Sequence, residues 1–554
     1  MNDAANRSTP SAAAPSAAGR FAAVERLLER WSEWLNPILV KESRQALKSR
    51  QFSVTFILVL LFAWGWTFLG LARIGPDAAY ASAGPMLFTG YFVILAFALI
   101  VLVPFGAFRS LAAEQEERTY ELLSITTLRP VQIISGKLGS AAVQMLIHLS
   151  AVSPCLAFTY LLRGIDFPTI AYAIVLLMGA SLGLSVLGLA VAALSDNKYL
   201  QVLYSVIFIG GAFLAFIGVA MLMAELGPGE MRSLPVDEKG FWIANAILGT
   251  IYGTTFVLVF LAAAALISFA GSNRSTRLRV CMVVQTLALV FWVAVGLCEE
   301  SFPTEFLEVM FTLALVYWFA MGALMTGEST ELSLRVRRNL PQSLLGRAMF
   351  TWFNPGPGTG YMLAVCAAIT CLLLVTVGVI VAPFLPGAGR WGSTVWRSTH
   401  WSQPILYAAV GASYLTIYLG VGLLLIRLLR RYARVHVPLA ALLQALLLLI
   451  GSGGPTLVQA LTPSLYSRDY SLLQVTNVFW TLDVLMGPAG ASNPTAVAVV
   501  WVLPVAALGV LCLNLPGIVR EVRYVRIAKP QRVEEEDRQL HPPPPPKPES
   551  PWDA

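Results

Sequence analysis

The sequence predicts an all-α, polytopic membrane protein of about twelve transmembrane helices, and two six-span halves are one arrangement that it allows. Three observations support this fold class. Of the 554 residues, 57% are hydrophobic and only 12% are charged, about half the charged fraction of soluble domains. Apolar runs of about 20 residues, the length that crosses a bilayer, recur along the chain. Basic residues gather between alternate runs, as they do on one side of a membrane.

The N-terminal 50 residues precede the first apolar run. Residues 1–20 are rich in Ala, Ser and Pro and predict a disordered tail. Residues 21–35 alternate apolar and charged residues at helical spacing, which favours a helix in the membrane interface anchored by Trp31 and Trp34. An amphipathic helix packed on protein is the alternative. Lys41 and Arg44 belong to a basic segment that reaches residue 50 and anchors the first span.

The apolar runs place twelve spans, and one shorter run is ambiguous. The shorter run, 470–486, contains Asp483 and predicts either a crossing or a re-entrant or surface helix. The twelve predicted spans are 52–72, 85–108, 138–162, 168–194, 200–224, 243–269, 280–298, 306–326, 361–383, 404–426, 438–458 and 495–516.

Charge predicts the orientation. With a cytoplasmic N-terminus, cytoplasmic segments hold 31 of the 38 Lys and Arg residues, as the positive-inside rule requires. If 470–486 crossed the membrane, the last basic cluster would lie outside, so we treat it as a re-entrant or surface helix. Both termini are then cytoplasmic in a multi-pass protein of the cytoplasmic (inner or plasma) membrane. The net charge of +7 follows from this topology and predicts no nucleic-acid partner.

The cytoplasmic loop 109–137 is acidic where Lys and Arg are expected. Glu114, Glu117 and Glu121 fall at i, i+3 and i+7, so a helix would present them on one face. Pro130 suits the first turn of a following helix. Anionic headgroups would repel such a face. We therefore predict a helix–turn–helix segment that docks on a basic protein surface.

This loop resembles the coupling segment of the permease subunits of type-2 ABC exporters. That segment reads E-x-E-x-G-T-x-E-L-L, followed by a proline turn and I-x-x-G-K, between the second and third spans. The chain departs from the pattern at Arg118, where the family often has Gly. Asn36-Pro37 and Val40 to Arg44 before the first span are also similar. The matching positions are Glu114, Glu116, Glu117, Arg118, Thr119, Tyr120, Glu121, Leu122, Leu123, Pro130, Ile133, Gly136 and Lys137.

The resemblance covers residues 21–270 and implies a separate ATPase subunit docked on 109–137, with export as the direction of transport. The chain has no phosphate-binding loop of its own, because Val131 and Leu138 stand where Gly136-Lys137 would need a Gly and a hydroxyl residue. We therefore expect no catalytic residue and no cofactor in this chain, and ATP-Mg on the partner.

The second half repeats the layout of the first. A first unit over 51–270 and a second over 271–516 each have two spans, a cytoplasmic loop (327–360 in the second) and four more spans. Glu328 to Leu332 weakly echo the coupling segment. If two permease halves are fused, one chain forms the pathway; otherwise a second permease copy is needed. Residues 517–554 carry mixed charges and Pro542 to Pro546, and predict a disordered tail.

Two other functions remain open: a twelve-span secondary carrier and a non-transporting membrane scaffold. A carrier usually needs charged groups within its spans, and the candidates for polar residues of a pathway are His148 and Asp483. Gly179-x-Ser181-x-Gly183 matches a hydrolase motif, but it lies mid-span, where glycines four apart favour helix packing. The four histidines are far apart, so no metal site is expected.

Overall fold

The computed structural model describes most of the membrane-embedded chain. The described residues are 36–74, 84–117, 128–162, 164–195, 197–225, 234–269, 271–298, 305–329, 333–338, 343, 345–346, 350–381, 402–433, 435–462, 470, 472–486, 494–523 and 530–540. Their regular structure is helical and contains no strand. The predicted all-α class is confirmed.

Fifteen helices of eight residues or more occur in these ranges. Short helical segments also lie at Leu334–Arg338, Thr351–Phe353 and Leu472–Thr476. The longer helices are α1 (Pro37–Lys48), α2 (Arg50–Ile74), α3 (Gly84–Glu116), α4 (Pro130–Leu161), α5 (Phe167–Ala192), α6 (Lys198–Glu225), α7 (Lys239–Leu266), α8 (Thr276–Cys298), α9 (Glu305–Thr326), α10 (Pro357–Val381), α11 (Ser402–Leu429), α12 (Val437–Leu461), α13 (Val478–Met486), α14 (Pro494–Val522) and α15 (Gln531–Leu540).

Twelve of these helices are long and apolar enough to cross a membrane, and each overlaps a predicted span: α2 to α12 and α14. The protein is therefore a multi-pass membrane protein of transporter-like architecture. The ambiguous run 470–486 forms a 3-10 turn and the nine-residue helix α13. At 1.5 Å per residue α13 is about 13 Å long, too short to cross about 30 Å of hydrocarbon.

Helix α3 contains one irregular turn. Residues Ala98–Leu102 form a π-helical turn, in which the Val103 N–H donates to the Ala98 carbonyl. Pro104 follows directly and has no N–H to continue the regular pattern, so the wider turn lets the helix continue through it. Gly188 of α5 packs here, since a Cβ at this position would lie 3.1 Å from the Pro104 carbonyl oxygen.

The chain divides into two compact units, residues 1–268 and 269–554. In the first unit α3 contacts α2, α4, α5 and α6; α4 also contacts α2, α5 and α7; and α5 also contacts α6 and α7. The second unit repeats this set of neighbours when α8, α9, α10, α11, α12 and α14 are substituted in order. This common topology supports an organisation in two six-span units, and the second unit adds α13 beside α11.

Each unit has its own core built around a central helix. In the first, α3 supplies fully buried Leu95, Leu99 and Leu111, and 61% of its most apolar stretch is buried, compared with 6% for α7. In the second, α11 is the most buried span at 67%. Large apolar side chains such as Phe62 and Phe68 on α2 are exposed, as expected for a surface that faces lipid.

The C-terminal region differs from the disordered tail expected from residue 517. Helix α14 continues through Pro516 to Val522, and α15 spans Gln531–Leu540. The carboxylate of Glu521 accepts hydrogen bonds from the start of α10, which holds the last turn of α14 in place. Helix α15 carries an Arg532–Glu536 ion pair at 3.6 Å, a spacing that stabilises isolated helices. Residues 541–554 lie outside the described residues.

Candidate coupling site

Helices α3 and α4 extend past their apolar runs at the same end, where the sequence predicts the coupling segment. The charged extensions are residues 109–116 of α3 and 130–137 of α4, eight residues each, or about 12 Å of helix. The described ends of the two helices form a helical hairpin, and exposed Glu116 and Glu117 at the end of α3 are its acidic tip. Arg118, Thr119, Tyr120, Glu121 and Leu122 lie outside the described residues.

Lys137 lies at the centre of this hairpin. Its side chain is 1% exposed, and its ammonium lies 3.0 Å from the Glu114 carboxylate and 3.1 Å from the Glu42 carboxylate. It also donates to the Ser110 carbonyl at 3.1 Å. One buried cation thus joins α1, α3 and α4. Because removing one partner of a buried ion pair leaves an uncompensated charge, this group holds the three helices together.

Helix α1 is docked closely on α4. A Cβ at Gly136 would lie 2.7 Å from the Ile38 Cβ, and one at Gly139 would lie 2.8 Å from Leu39 Cδ1. The Asn36 side chain accepts from the Ile38 N–H at 3.1 Å, which caps α1, and donates to the Gln132 carbonyl at 2.5 Å. Lys41 is 62% exposed, with its ammonium 4.0 Å from Glu114, and Arg44 is exposed.

The acidic residues of the motif do not share one environment. Glu114 is half-buried against Lys137, whereas Glu116 and Glu117 are exposed where α3 ends. Of these three glutamates, Glu116 and Glu117 have their side chains exposed to a possible protein partner. Sequence spacing alone indicated a common face for Glu114 and Glu117, but Glu117 caps the helix and α4 supplies a lysine for Glu114.

The base of the hairpin is also tied to the rest of the first unit. Gln201 at the start of α6 is buried, and its side-chain amide lies 3.1 Å from the Gln115 amide. Gln201 also donates to the Ser195 carbonyl at 2.9 Å. The end of α3 is therefore joined to the α5–α6 connection.

The remaining predicted residues fall elsewhere. Trp31 and Trp34 lie outside the described residues. His148 on α4 is buried, its Nδ1 2.8 Å from the Gln144 carbonyl oxygen, and its ring meets Phe52 edge-on at 5.3 Å. Asp483 is exposed on α13, in the other unit. His148 and Asp483 therefore belong to different units.

The glycines of the hydrolase-like motif serve helix packing. The Tyr252 hydroxyl of α7 donates to the Gly179 carbonyl at 2.7 Å, and a Cβ at Gly183 would lie 3.2 Å from the Tyr252 ring. Helices α5 and α7 approach each other along this face. The motif therefore presents no nucleophile to solvent, in keeping with the buried side chain of Ser181.

The second unit has a different buried charge at the corresponding end. Arg279 of α8 is fully buried, 2.7 Å from the Glu328 carboxylate. Its guanidinium also donates to the Trp352 carbonyl at 2.6 Å, the Gly356 carbonyl at 3.0 Å and Thr359 Oγ1 at 3.1 Å. Glu328, which echoes the coupling motif, is therefore engaged within its own chain.

Glu521 occupies the N-terminus of α10. Its carboxylate accepts from the Gly358 N–H at 3.0 Å and from the Thr359 N–H at 2.9 Å. A Cβ at Gly358 would lie 2.9 Å from the carboxylate, so glycine permits the approach. Unpaired amides at a helix N-terminus favour an anion. Two features of the sequence could have indicated this site: the glycine-rich run 356–360 and the single acid Glu521 among basic residues. They lie about 160 positions apart, so no local pattern connects them.

No protein-family model, curated protein or solved structure matches this chain. Among the described residues, no group of three or more His, Cys, Asp or Glu side chains could hold a metal ion. Function must therefore be argued from the fold and from the hairpin.

Proposed function

We propose that the chain is the permease subunit of an ATP-binding cassette transporter that exports its substrate. A separate ATPase would dock on residues 109–137 and bind ATP-Mg, and this chain would carry out no chemistry. The observation that supports the proposal is the α3–α4 hairpin, which extends beyond the apolar runs and ends in exposed Glu116 and Glu117. An acidic tip on a helical support suits a basic groove on a protein partner.

The hairpin has the two properties that a coupling element needs. It is rigid at its base, because Lys137 joins three helices. It also continues without a break into α3, whose π-helical turn at Ala98–Leu102 is a natural place for bending. An ATP-bound partner shifts the spans between two states only if it binds those two states with different affinity. A rigid hairpin joined to the span through one irregular turn could take a different position in each state and so be bound differently.

The test is residue-specific crosslinking in cells. A photoreactive amino acid at Glu117 should crosslink to a protein whose peptides contain a phosphate-binding loop, identified by mass spectrometry. For a charge-reversal test the photoreactive amino acid is moved to Arg129. In that chain the double substitution Glu116→Lys and Glu117→Lys should abolish the crosslinked product. Glu535→Lys, an exposed acid of α15, which is expected on the same side of the membrane, is the matched control and should leave it unchanged. A hairpin that crosslinks to no ATPase would overturn the proposal.

A further inference from the structure

A cleft of about 720 Å³ lies in the second unit between α12 and α13. Its volume falls within the range of about 300 to 1,000 Å³ that is usual for small-molecule sites. Ala445, Leu448 and Leu449 line one part of it. Leu449 and Phe479 are exposed on the surface of the bundle, so the cleft opens sideways towards lipid. It lies far from the coupling hairpin in sequence and has no part in the proposed docking.

The cleft is apolar over most of its lining, and its few polar side chains include Thr456, Asn477 and Asp483, which line it beside Trp480. Trp480 and Asp483 are three residues apart on α13 and therefore share a face of that helix. No described residue forms an ion pair or hydrogen bond with the Asp483 carboxylate. A carboxylate next to an indole ring is the chemistry that recognises an ammonium group, by charge and by cation–π attraction.

The polar end is held in position by its neighbours. The Asn477 side-chain amide donates to Thr456 Oγ1 at 3.1 Å, and its oxygen accepts from the backbone N–H of Trp480 at 3.2 Å. Fully buried Thr481 bonds the Asn477 carbonyl at 2.7 Å and accepts from the Tyr414 hydroxyl of α11 at 2.9 Å. Helix α13 is thus fixed to both α11 and α12, which sets the position of the Asp483 backbone beside the cleft.

Position along α12 gives the depth of each part. Counted from Val437, Ala445 lies about 12 Å along the helix and Thr456 about 28 Å, against a hydrocarbon thickness of about 30 Å. The apolar part is therefore near the middle of the bilayer, and the polar part is near the surface remote from the basic cluster Arg427 to Arg431. That gradient matches a molecule with a polar head and an apolar chain.

We propose that this cleft binds a single-chain cationic amphiphile from the outer leaflet. The ammonium head pairs with Asp483 and rests against the Trp480 ring, and the alkyl chain lies along α12 towards Ala445. The inference goes beyond the proposed function, because it holds for the protein with or without an ATPase partner.

Photolabelling of the purified full chain in dodecyl maltoside micelles, which contain no ammonium group, tests the site. Three probes share one diazirine-bearing alkyl chain and differ in the head, which is trimethylammonium, hydroxyl or sulfonate. The ammonium probe should label the peptides that contain residues 445–456 and 478–486 about fivefold more than the hydroxyl probe, a ratio typical of one partly exposed charge interaction. The sulfonate probe should label them least. Equal labelling by all three heads would overturn the proposal.

Two variants locate the preference. Asp483→Asn should bring ammonium and hydroxyl labelling to within twofold of each other, whereas Asp166→Asn, an exposed acid of the first unit, should keep the preference. If Asp483→Asn does not fold, Trp480→Leu should weaken the ammonium preference in the same assay. A preference that survives Asp483→Asn would contradict the site. Unlabelled dodecyltrimethylammonium should compete, and equal competition by phosphatidylethanolamine would contradict the single-chain assignment.

Discussion

Lys137 is the residue on which the geometry of the hairpin depends most. Its buried ammonium neutralises Glu42 and Glu114, so Lys137→Met leaves two carboxylates facing each other without a cation. Breaking a buried pair typically costs 3–5 kcal/mol; since both carboxylates retain some exposure, we expect about 3 kcal/mol here. Thermal unfolding in detergent, followed by tryptophan fluorescence, should show a melting temperature lower by about 5 °C.

Two further variants separate charge from packing at Lys137. Lys41→Met removes a 62% exposed lysine close to the same Glu114 and should change the melting temperature little. Combining Lys137→Met with Glu42→Gln and Glu114→Gln removes the stranded charges and should recover at least half of the loss. A Lys137→Met protein as stable as the wild type would contradict the role of this cluster.

Arg279 makes a second residue-scale prediction, because its planar guanidinium donates to four different groups. Lysine has one compact charge and cannot reach all of them, so Arg279→Lys should leave a buried acceptor unpaired at a cost of about 2 kcal/mol. The same unfolding assay measures it. Arg277→Lys, an exposed position two residues away, is the matched control; an equal effect of both substitutions would refute the prediction.

The sequence identified charged positions better than their partners. Lys137 was predicted as part of a motif, and the resemblance gave it a place in ATPase coupling. Its bond to Glu42 spans 95 positions, and no local pattern indicates such a pairing. Arg279 did not stand out in the sequence from the other basic residues that predict orientation, and Glu521 fell in the predicted tail 517–554. Long-range pairs depend on which helices pack together, which hydropathy does not encode.

At the scale of elements, the docking of α1 on α4 depends on glycine. A Cβ at Gly136 would lie 2.7 Å from the Ile38 Cβ, so Gly136→Ala should push α1 away from α4. Hydrogen exchange measured by mass spectrometry should become several-fold faster for the peptide covering 37–48, because local opening becomes easier. Gly65→Ala, where nothing lies within 4 Å, is the control and should leave that peptide unchanged. Equal exchange in both variants would contradict the close docking.

The spans themselves were predictable because hydropathy is local and lipid imposes one length on every crossing. The helix ends were not. Helix α14 was expected to stop at residue 516 but continues to Val522, since Glu521 binds the amides of α10. The charged ends of α3 and α4 were expected to form a separate helical unit, whereas they continue the spans. In each case a contact made by another element decided where the helix ends.

At the scale of the whole molecule, both units share one helix topology, but the ends that carry the buried charges Lys137 and Arg279 differ. The first unit ends in an extended hairpin with an exposed acidic tip. In the second, Glu328 is bound by Arg279 and by the Gly356 N–H at 2.8 Å. The repeat was visible in the sequence as a repeated spacing of spans. The difference between the two units was not, because it depends on which glutamate pairs with a cation of its own chain.

Orientation is the property on which docking of a cytoplasmic ATPase depends. The positive-inside rule predicts that the hairpin tip and α15 are cytoplasmic and that the α4–α5 and α6–α7 connections lie outside. Single cysteines at Glu117 and Arg532 should therefore react with a membrane-impermeant maleimide only after cells are permeabilised. Single cysteines at Asp166 and Val236, both exposed positions, should react in intact cells. The wild-type chain, labelled in parallel, measures the reaction of the native cysteines. If Glu117→Cys reacted in intact cells, the acidic tip would face away from any source of ATP. The chain could not then be driven by an ATPase at this site, whatever the arrangement of its spans.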